Sequence, residues 1–398
     1  MRAKWEPLQA KWCLLWDFLR TLPAARCLRA ALLVWAVYAG IIAMIVAVNP
    51  SGRSATLEYQ RATDNWWAGK PLYEGKNRYL YLPHYAFFYT PFEFLPDQIG
   101  EPLWRLVCLA SLAGALWAAA SMLAPAQKEA VFLVATVLVL PSTFASARNG
   151  QVNMPLAALF ILIALALARD RWWTAAAMLA LTLVFKPIAI APMLLCAVIY
   201  PKLRIPMIAA LLVTAVIPLA HPNPSYAFGE YGAFVAKLQS AGKPGGHSWC
   251  DFAGMLRVAG IHLPSAWQLA IRALAGVVTL GLCWRAAKCG DALRAAFTVL
   301  LLSTIYLMLF NPRTETNSYV MLGAFVAVWA AVEGLVFRRL GLAAWLTAAA
   351  IVLGSENYGW PIFPLTNLWA KALVTCALGI WLARRILRTP DDKPVLMA

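Results

Sequence analysis

Ionisable side chains stand inside otherwise apolar stretches at three places in the chain. The segment at 311–319 reads NPRTETNSY and carries Arg313 and Glu315 between two apolar runs. The turn at 146–153 reads SARNGQVN, and Lys186 stands in the tripeptide FKP. Holding an ionisable group near hydrocarbon is costly, so each of these is a candidate for chemistry. A carboxylate there can take a proton from a substrate, and cations can hold a developing anion.

The same residues also have interpretations without chemistry. Arg313 and Glu315 can simply pair with each other at a helix end. Lys186 can extend its ammonium group to the lipid headgroups. Three further cations near helix ends are predicted to be interfacial anchors: Arg105 beside Trp104, Arg272 and Lys371.

The composition identifies the solvent of this chain as the bilayer. Of its 398 residues 62% are hydrophobic and 13% charged, and the mean hydropathy is +0.66. Soluble domains are about half apolar and about a quarter charged, so a soluble enzyme, a disordered chain and a nucleic-acid-binding domain are excluded. The net charge of +16 then indicates basic cytoplasmic loops. The eight cysteines and four histidines show no zinc-ligand spacing, and we expect no metal and no cofactor.

Apolar runs predict an all-α, polytopic membrane helix bundle of about twelve transmembrane helices (10–13). The three shortest runs, at 154–168, 173–186 and 188–200, have 15 residues or fewer, well below the ~20 that a full crossing needs. The predicted segments are 28–48, 103–123, 130–146, 154–168, 173–186, 188–200, 205–220, 266–284, 295–311, 318–337, 341–356 and 366–384.

The charges of the connecting loops predict the orientation. With the N-terminus in the cytoplasm, every inner connection carries Lys or Arg. The short outer loops then hold only Arg148, Lys186 and Arg313. This bias predicts that both termini are cytoplasmic, and it suits an integral protein of a bacterial inner membrane. Glu333, near an inner helix end, is expected to pair with Arg338 or Arg339.

The chain divides into a leader at 1–27, a transmembrane domain at 28–384 and a cytoplasmic tail at 385–398. Apolar residues of the leader recur at spacings of three and four, which predicts an amphipathic helix on the cytoplasmic membrane surface. These residues are Trp5, Leu8, Trp12, Trp16 and Leu19. Two long outer loops are expected at 49–102 and 221–264. The first is rich in aromatic residues and punctuated by prolines, which favours amphipathic helices at the headgroup level.

The order of the outer motifs resembles glycosyltransferase family 87, membrane transferases of the GT-C superfamily that use polyprenyl-phosphate sugars. The resemblance covers about residues 30–320. It rests on Tyr59, Ala62, Gly69 and Tyr73, on Tyr81-Leu82-Pro83 before the segment Phe92 to Pro96, on Gly150-Gln151-Val152-Asn153, and on Lys186-Pro187.

The resemblance implies a hexosyltransferase that moves mannose or another hexose from a polyprenyl-phosphate donor to a lipid or glycan acceptor at the outer face. Membrane lipids are its surroundings, and no nucleic acid is a partner. This scheme requires no metal, and the outer face has no D-x-D or E-x-D pair, which soluble nucleotide-sugar transferases commonly use to hold one. Residues expected to bind the donor phosphate or the substrate are Arg313, Lys186, Arg148, His84, Gln151, Asn153 and Tyr59.

One position departs from the family. Its members carry an aspartate, the general base, four residues before the first tyrosine of the motif, and here that position is Ala55. The candidate bases are Glu315, in the least solvated surroundings, and Glu58, with Asp64 behind them because it can pair with Arg61. The alternative functions are a secondary transporter or lipid translocase, and a catalytically inactive transferase homologue.

Overall fold

The structure is a computed structural model that describes residues 6–49, 52, 54–74, 79–241, 249–355, 366 and 368–390. Within these residues it contains 17 α-helices and no strand, which confirms the all-α prediction. In chain order the helices are α1 (Glu6–Thr21), α2 (Ala24–Val48), α3 (Thr56–Trp67), α4 (Pro83–Glu93), α5 (Asp97–Leu123), α6 (Lys128–Asn149), α7 (Asn153–Leu167), α8 (Trp172–Phe185), α9 (Ile190–Ile199), α10 (Arg204–Val216), α11 (Pro224–Ala241), α12 (Phe252–Val258), α13 (Ser265–Lys288), α14 (Ala292–Phe310), α15 (Val320–Leu335), α16 (Leu340–Leu353) and α17 (Ala370–Arg388).

Each of the twelve predicted segments coincides with a helix, but their lengths differ. Seven described helical segments are long and apolar enough to cross a membrane: Ala24–Val48, Asp97–Leu123, Pro125–Asn149, Pro201–Ala220, Ser265–Lys288, Ala292–Phe310 and Thr316–Leu335. The three segments predicted to be short are α7, α8 and α9, of 15, 14 and 10 residues. The molecule is therefore a polytopic helical membrane protein, and the count of twelve crossings stays a prediction.

Helix α15 forms the centre of the bundle. All 16 of its residues are buried, and α6, α7, α14 and α16 pack around it. Its side chains are almost all apolar, and their burial removes most of their surface from the surroundings. A helix that is apolar all round is typical of the interior of a large bundle.

The aromatic stripe of the leader faces protein rather than lipid. Trp16 is buried in α1, and its indole ring occupies the space that a side chain at Gly334 would fill. The indole N–H of Trp12 donates to the carbonyl oxygen of Leu340 at 3.1 Å. Leu14, Leu15 and Phe18 are exposed large apolar residues of this helix. The predicted helix is present, but Trp16 packs on α15 and Trp12 bonds to the first residue of α16; Trp5 and the side chain of Leu8 lie outside the described residues.

The two ends of the bundle differ in chemistry. Helices α6, α8 and α14 end, and α7, α15 and α17 begin, at one end, which we call the site face. The opposite end carries Lys128, Arg285, Arg338 and Arg339. There Arg339 pairs with Glu333 at 3.7 Å, as predicted. The assignment of this basic end to the cytoplasm stays a prediction from the charge bias.

Candidate active site

Five polar residues at the site face form one hydrogen-bonded network, which we call the polar cluster. Gln151 donates to the Glu315 carboxylate at 3.2 Å, and Asn153 donates to the Gln151 side-chain oxygen at 2.7 Å. Lys186 donates to the Asn153 oxygen at 3.0 Å, and Asn153 also donates to Asn317 at 3.4 Å. The network links a carboxylate to an ammonium group through two amides.

Helix ends place these side chains together. Asn153 begins α7, and Lys186 follows the last residue of α8 in an extended conformation, with φ −159° and ψ 122°. Pro187 disfavours the helical conformation at Lys186, so the helix ends there. Glu315 precedes the 3₁₀ turn Thr316–Tyr319, which leads into α15. Three connections between helices thus meet at one point.

The cluster is buried on one side and open on the other. Asn153 and Asn317 are buried, whereas Gln151, Lys186 and Glu315 are half-buried. Because Glu315 and Lys186 are half-buried, their carboxylate and ammonium groups can both contact a substrate. The amides behind them hold both groups in place through hydrogen bonds.

A tyrosine pair lies within electrostatic reach of Glu315. The hydroxyls of Tyr59 and Tyr81 are 2.8 Å apart. Burial raises the pKa of the Tyr81 phenol, the hydrogen bond with Tyr59 opposes that rise, and the Glu315 carboxylate adds to it. Tyr59 is itself buried among the rings of Tyr81 and Tyr85, at centroid distances of 5.0 and 4.8 Å. Of the pair, Tyr81 is the half-buried member.

The start of α3 is attached to the turn that carries Gln151. The backbone N–H of Ala55 donates to the carbonyl oxygen of Asn149 at 2.7 Å. The indole N–H of Trp104 donates to the carbonyl oxygen of Gly150 at 2.7 Å. Ala55, the position at which the resemblance predicts an aspartate, is therefore attached to the turn that carries Gln151.

Arg105 is part of this attachment and not an interfacial anchor. It is wholly buried, forms an ion pair with buried Glu101, and donates to Ser54 Oγ at 2.8 Å. It also donates to the carbonyl oxygen of Arg148 at 3.3 Å. The anchor prediction was wrong for Arg105 because its charge is matched inside the protein, so the guanidinium does not need the headgroup region.

Gly150 permits this close packing, and its replacement tests it. Its φ is +66°, and a Cβ there would stand 2.6 Å from Thr56 Cγ2 and 2.9 Å from the Arg105 guanidinium carbon. We expect Gly150→Ala to destabilise the protein by more than the ~1–2 kcal/mol that the left-handed conformation alone costs. Thermal unfolding in detergent measures this.

Gly69 provides the matched control for Gly150. Its φ is +63°, but nothing lies within 4 Å of a Cβ added there. Gly69→Ala therefore carries the backbone strain without the collision. Equal losses of stability in the two variants would contradict the proposed packing at Gly150.

The other two candidate bases lie on α3. Glu58 is half-buried and pairs with Arg61 at 3.4 Å. Asp64, which was expected to compete for Arg61, is exposed. The ion pair of Arg61 is thus with Glu58, and Asp64 lies near Glu93 instead.

The predicted cations are not all at the cluster. Arg313 lies beside Trp249, with its guanidinium carbon 5.7 Å from the ring centroid. In the described part of the chain no ion pair joins it to Glu315.

His84 is buried and hydrogen-bonds the Thr214 carbonyl oxygen at 2.6 Å. Burial lowers the pKa of His84, although this hydrogen bond opposes the shift, so the ring favours its neutral form. His84 therefore contacts α10, whereas Lys186 is the predicted cation that belongs to the polar cluster.

Asn317 and Lys371 are site residues that the sequence did not single out for chemistry. Asn317 closes the cluster through Asn153. Lys371 was predicted to be an anchor, but it is buried and donates to the carbonyl oxygen of Thr316 at 3.0 Å. It therefore holds the turn that follows Glu315. No sequence signal marks Lys371, because the two partners are 55 residues apart.

Glu93 gives the site face a pH-dependent stability. Burial, with smaller contributions from the charges of Asp64 and Asp97, raises its pKa from 4.5 to about 7. The folded protein therefore binds a proton that the unfolded chain has released, and stability falls as pH rises between these two values. We expect Glu93→Gln to remove this fall and to raise the melting temperature at pH 8. Melting temperatures of both proteins from pH 4.5 to pH 8 measure it, and parallel curves would contradict the shift.

Comparison with protein-family models assigns the chain. The model of glycosyltransferase family 87 matches residues 79–312, which is more than half of the chain. Comparison with curated proteins gave no match. The matched range includes Gln151, Asn153 and Lys186, whereas Ala55 and Glu315 lie outside it. The chain therefore belongs to glycosyltransferase family 87 and is a membrane glycosyltransferase.

Proposed function

We propose that this protein transfers a hexose, with mannose as the first choice, from a polyprenyl-phosphate donor to a lipid or glycan acceptor. The reaction takes place at the outer face of a bacterial inner membrane. The observation that carries the proposal is the link from Glu315 to Lys186 through Gln151 and Asn153 at the site face. This link brings a proton acceptor and a cation into one site. Sugar transfer from a phosphate leaving group needs both groups.

Each group then has one task in the proposed reaction. The Glu315 carboxylate takes the proton of the acceptor hydroxyl, and the hydroxyl oxygen forms a bond to the anomeric carbon of the sugar. The bond between that carbon and the phosphate oxygen breaks, and its electron pair stays on the phosphate. Lys186 neutralises this negative charge in a poorly hydrated place, where such an interaction is strong. Arg313, two residues from Glu315, is the second cation for the phosphate.

The position of Ala55 supports the transfer of the base role to Glu315. Ala55 bonds to Asn149, and Gln151, two residues further along, donates to Glu315. The Glu315 carboxylate, from the other half of the chain, thus bonds to the same turn to which Ala55 is attached. Glu58 and Asp64 are the alternative bases, but one is paired with Arg61 and the other is exposed.

Sugar transfer in proteoliposomes tests the function. The purified protein is given radiolabelled polyprenyl-phosphate mannose and a mixed pool of lipid and glycan acceptors, with and without a chelator. We expect label to move to an acceptor at the same rate in both conditions. Donor that crosses the membrane without loss of its sugar would instead indicate a translocase. Donor that binds without transfer or translocation would indicate an inactive homologue.

A further inference from the structure

A cavity of about 450 Å³, open to the outside, lies between α11 and the chain segment at 71–74. Pockets for small molecules are about 300–1,000 Å³, so its size is that of a ligand site. It is separate from the polar cluster, and the proposed mechanism does not use it. Its polar lining consists of Tyr73, Glu74, Glu230, Lys237 and Ser240.

One face of α11 forms most of this cavity. Glu230, Ala233, Lys237 and Ser240 recur at spacings of three and four, so they share a helix face. The small side chain of Ala233, in the middle of that face, leaves the space open. Burial raises the pKa of Glu230, and its carboxylate accepts a hydrogen bond from the backbone N–H of Leu72 at 3.1 Å. This bond attaches α11 to the opposite wall.

The lining suits a polyhydroxylated ligand. Carboxylates accept hydrogen bonds and an ammonium group donates them, and a sugar hydroxyl can take either part. Glu74 and Glu230 supply the acceptors, and Lys237, whose ammonium group also donates to the carbonyl oxygen of Tyr73 at 3.4 Å, supplies the donor. Among the described lining residues two carboxylates stand against one ammonium group, and this negative balance disfavours a phosphorylated ligand.

A chain of hydrogen-bonded tyrosines leads from the cavity toward the polar cluster. The Tyr73 hydroxyl donates to the carbonyl oxygen of Tyr81 at 2.7 Å. The hydroxyl of Tyr81 is 2.8 Å from that of Tyr59, and its phenol senses the charge of Glu315. One residue, Tyr81, thus separates the cavity wall from the surroundings of the candidate base.

We propose that this cavity binds an uncharged glycan portion of the acceptor and directs its hydroxyl toward Glu315. The inference rests on the proposed function and specifies the acceptor as a neutral glycan rather than a phosphorylated one. Glu230 and Lys237 hold the hydroxyls of a sugar that does not react. The donor phosphate binds elsewhere, at Lys186 of the polar cluster.

Direct binding tests the cavity without any transfer reaction. The probe is α-mannobiose, titrated onto the detergent-solubilised full chain, with mannose 6-phosphate as the charged comparison. We expect Ala233→Phe, which fills the cavity, to weaken mannobiose binding at least tenfold. Val235→Phe, at an exposed position of the same helix, is the matched control and is expected to bind as the unmodified protein does. We also expect the unmodified protein to bind mannose 6-phosphate more weakly.

The results separate the two proposals. Failure of the unmodified protein to bind mannobiose, or equal binding by it and by Ala233→Phe, would overturn the cavity assignment. In the transfer assay we expect Ala233→Phe to raise the KM for the glycan acceptor at least tenfold with the KM for the donor unchanged. Mannobiose binding that Ala233→Phe weakens would support the cavity even in a protein that transfers no sugar, which would overturn only the proposed function.

Discussion

Glu315→Gln is expected to lower kcat for sugar transfer by about 10²- to 10⁴-fold, the usual contribution of a positioned general base. The glutamine side-chain oxygen can still accept the hydrogen bond that Gln151 donates at 3.2 Å, so the cluster keeps its geometry. The substitution thus removes the proton acceptor and little else. We expect the melting temperature and the binding of the donor to stay the same. Single-turnover transfer rates with saturating donor measure the effect.

Variants of the other two carboxylates serve as comparisons for Glu315. Glu58→Gln breaks a partly exposed pair with Arg61, and Asp64→Asn changes an exposed side chain. Both are expected to lower kcat less than tenfold. A larger loss in either variant, with transfer intact in Glu315→Gln, would assign the base to α3 and contradict the role of Glu315.

Introducing at position 55 the aspartate that the resemblance predicts there tests the proposed move of the base role to Glu315. Ala55 precedes α3 at its N-cap position, where aspartate is among the favoured residues. Its backbone is already attached to the turn that carries Gln151. In a protein with Glu315→Gln, we expect the added change Ala55→Asp to recover part of the lost transfer. No recovery, with donor and acceptor still bound, would show that α3 does not reach the reacting hydroxyl.

Glu101→Gln is expected to destabilise the protein by about 3–5 kcal/mol, the usual effect of leaving a buried charge without its partner. Arg105 is wholly buried, and Glu101 is its buried ion-pair partner. Arg105 also fixes Ser54 and the backbone of Arg148, so the turn at Gly150 loosens with it. We expect a much lower melting temperature in detergent and a loss of transfer at temperatures that the unmodified protein withstands.

An exposed ion pair is the matched control for Glu101. Arg338 and Asp17 are 3.1 Å apart, and both side chains are more than half exposed. Asp17→Asn is expected to cost only ~0–1 kcal/mol, because water screens such pairs. Replacing both buried partners, as Glu101→Leu with Arg105→Met, is expected to restore stability in part but not transfer. A small effect of Glu101→Gln would contradict the assignment of a buried, charge-matched pair.

The positions of the helices follow from the sequence alone. Apolar runs are local properties, and each of the twelve coincides with a helix. The sequence also predicts that the basic loops and the candidate catalytic residues lie at opposite ends of the bundle. The reason is that each helix that crosses the bundle has one end on each side. The turn at Gln151 and the motif at Lys186 were also identified from the sequence, and the structure joins them through Asn153.

Only the tertiary structure decided which of these residues meet. Gln151 and Glu315 are 164 residues apart, and no local spacing predicts their hydrogen bond. Burial was just as inaccessible: Arg105 and Lys371 have the sequence pattern of surface anchors, yet both lie inside the protein. The physical reason is that periodicity along a chain gives the apolar face of each helix, whereas the packing of many faces decides what each polar side chain contacts. An ionisable residue next to an apolar run therefore indicates that burying its charge is unfavourable, and the tertiary structure shows which partner offsets that cost.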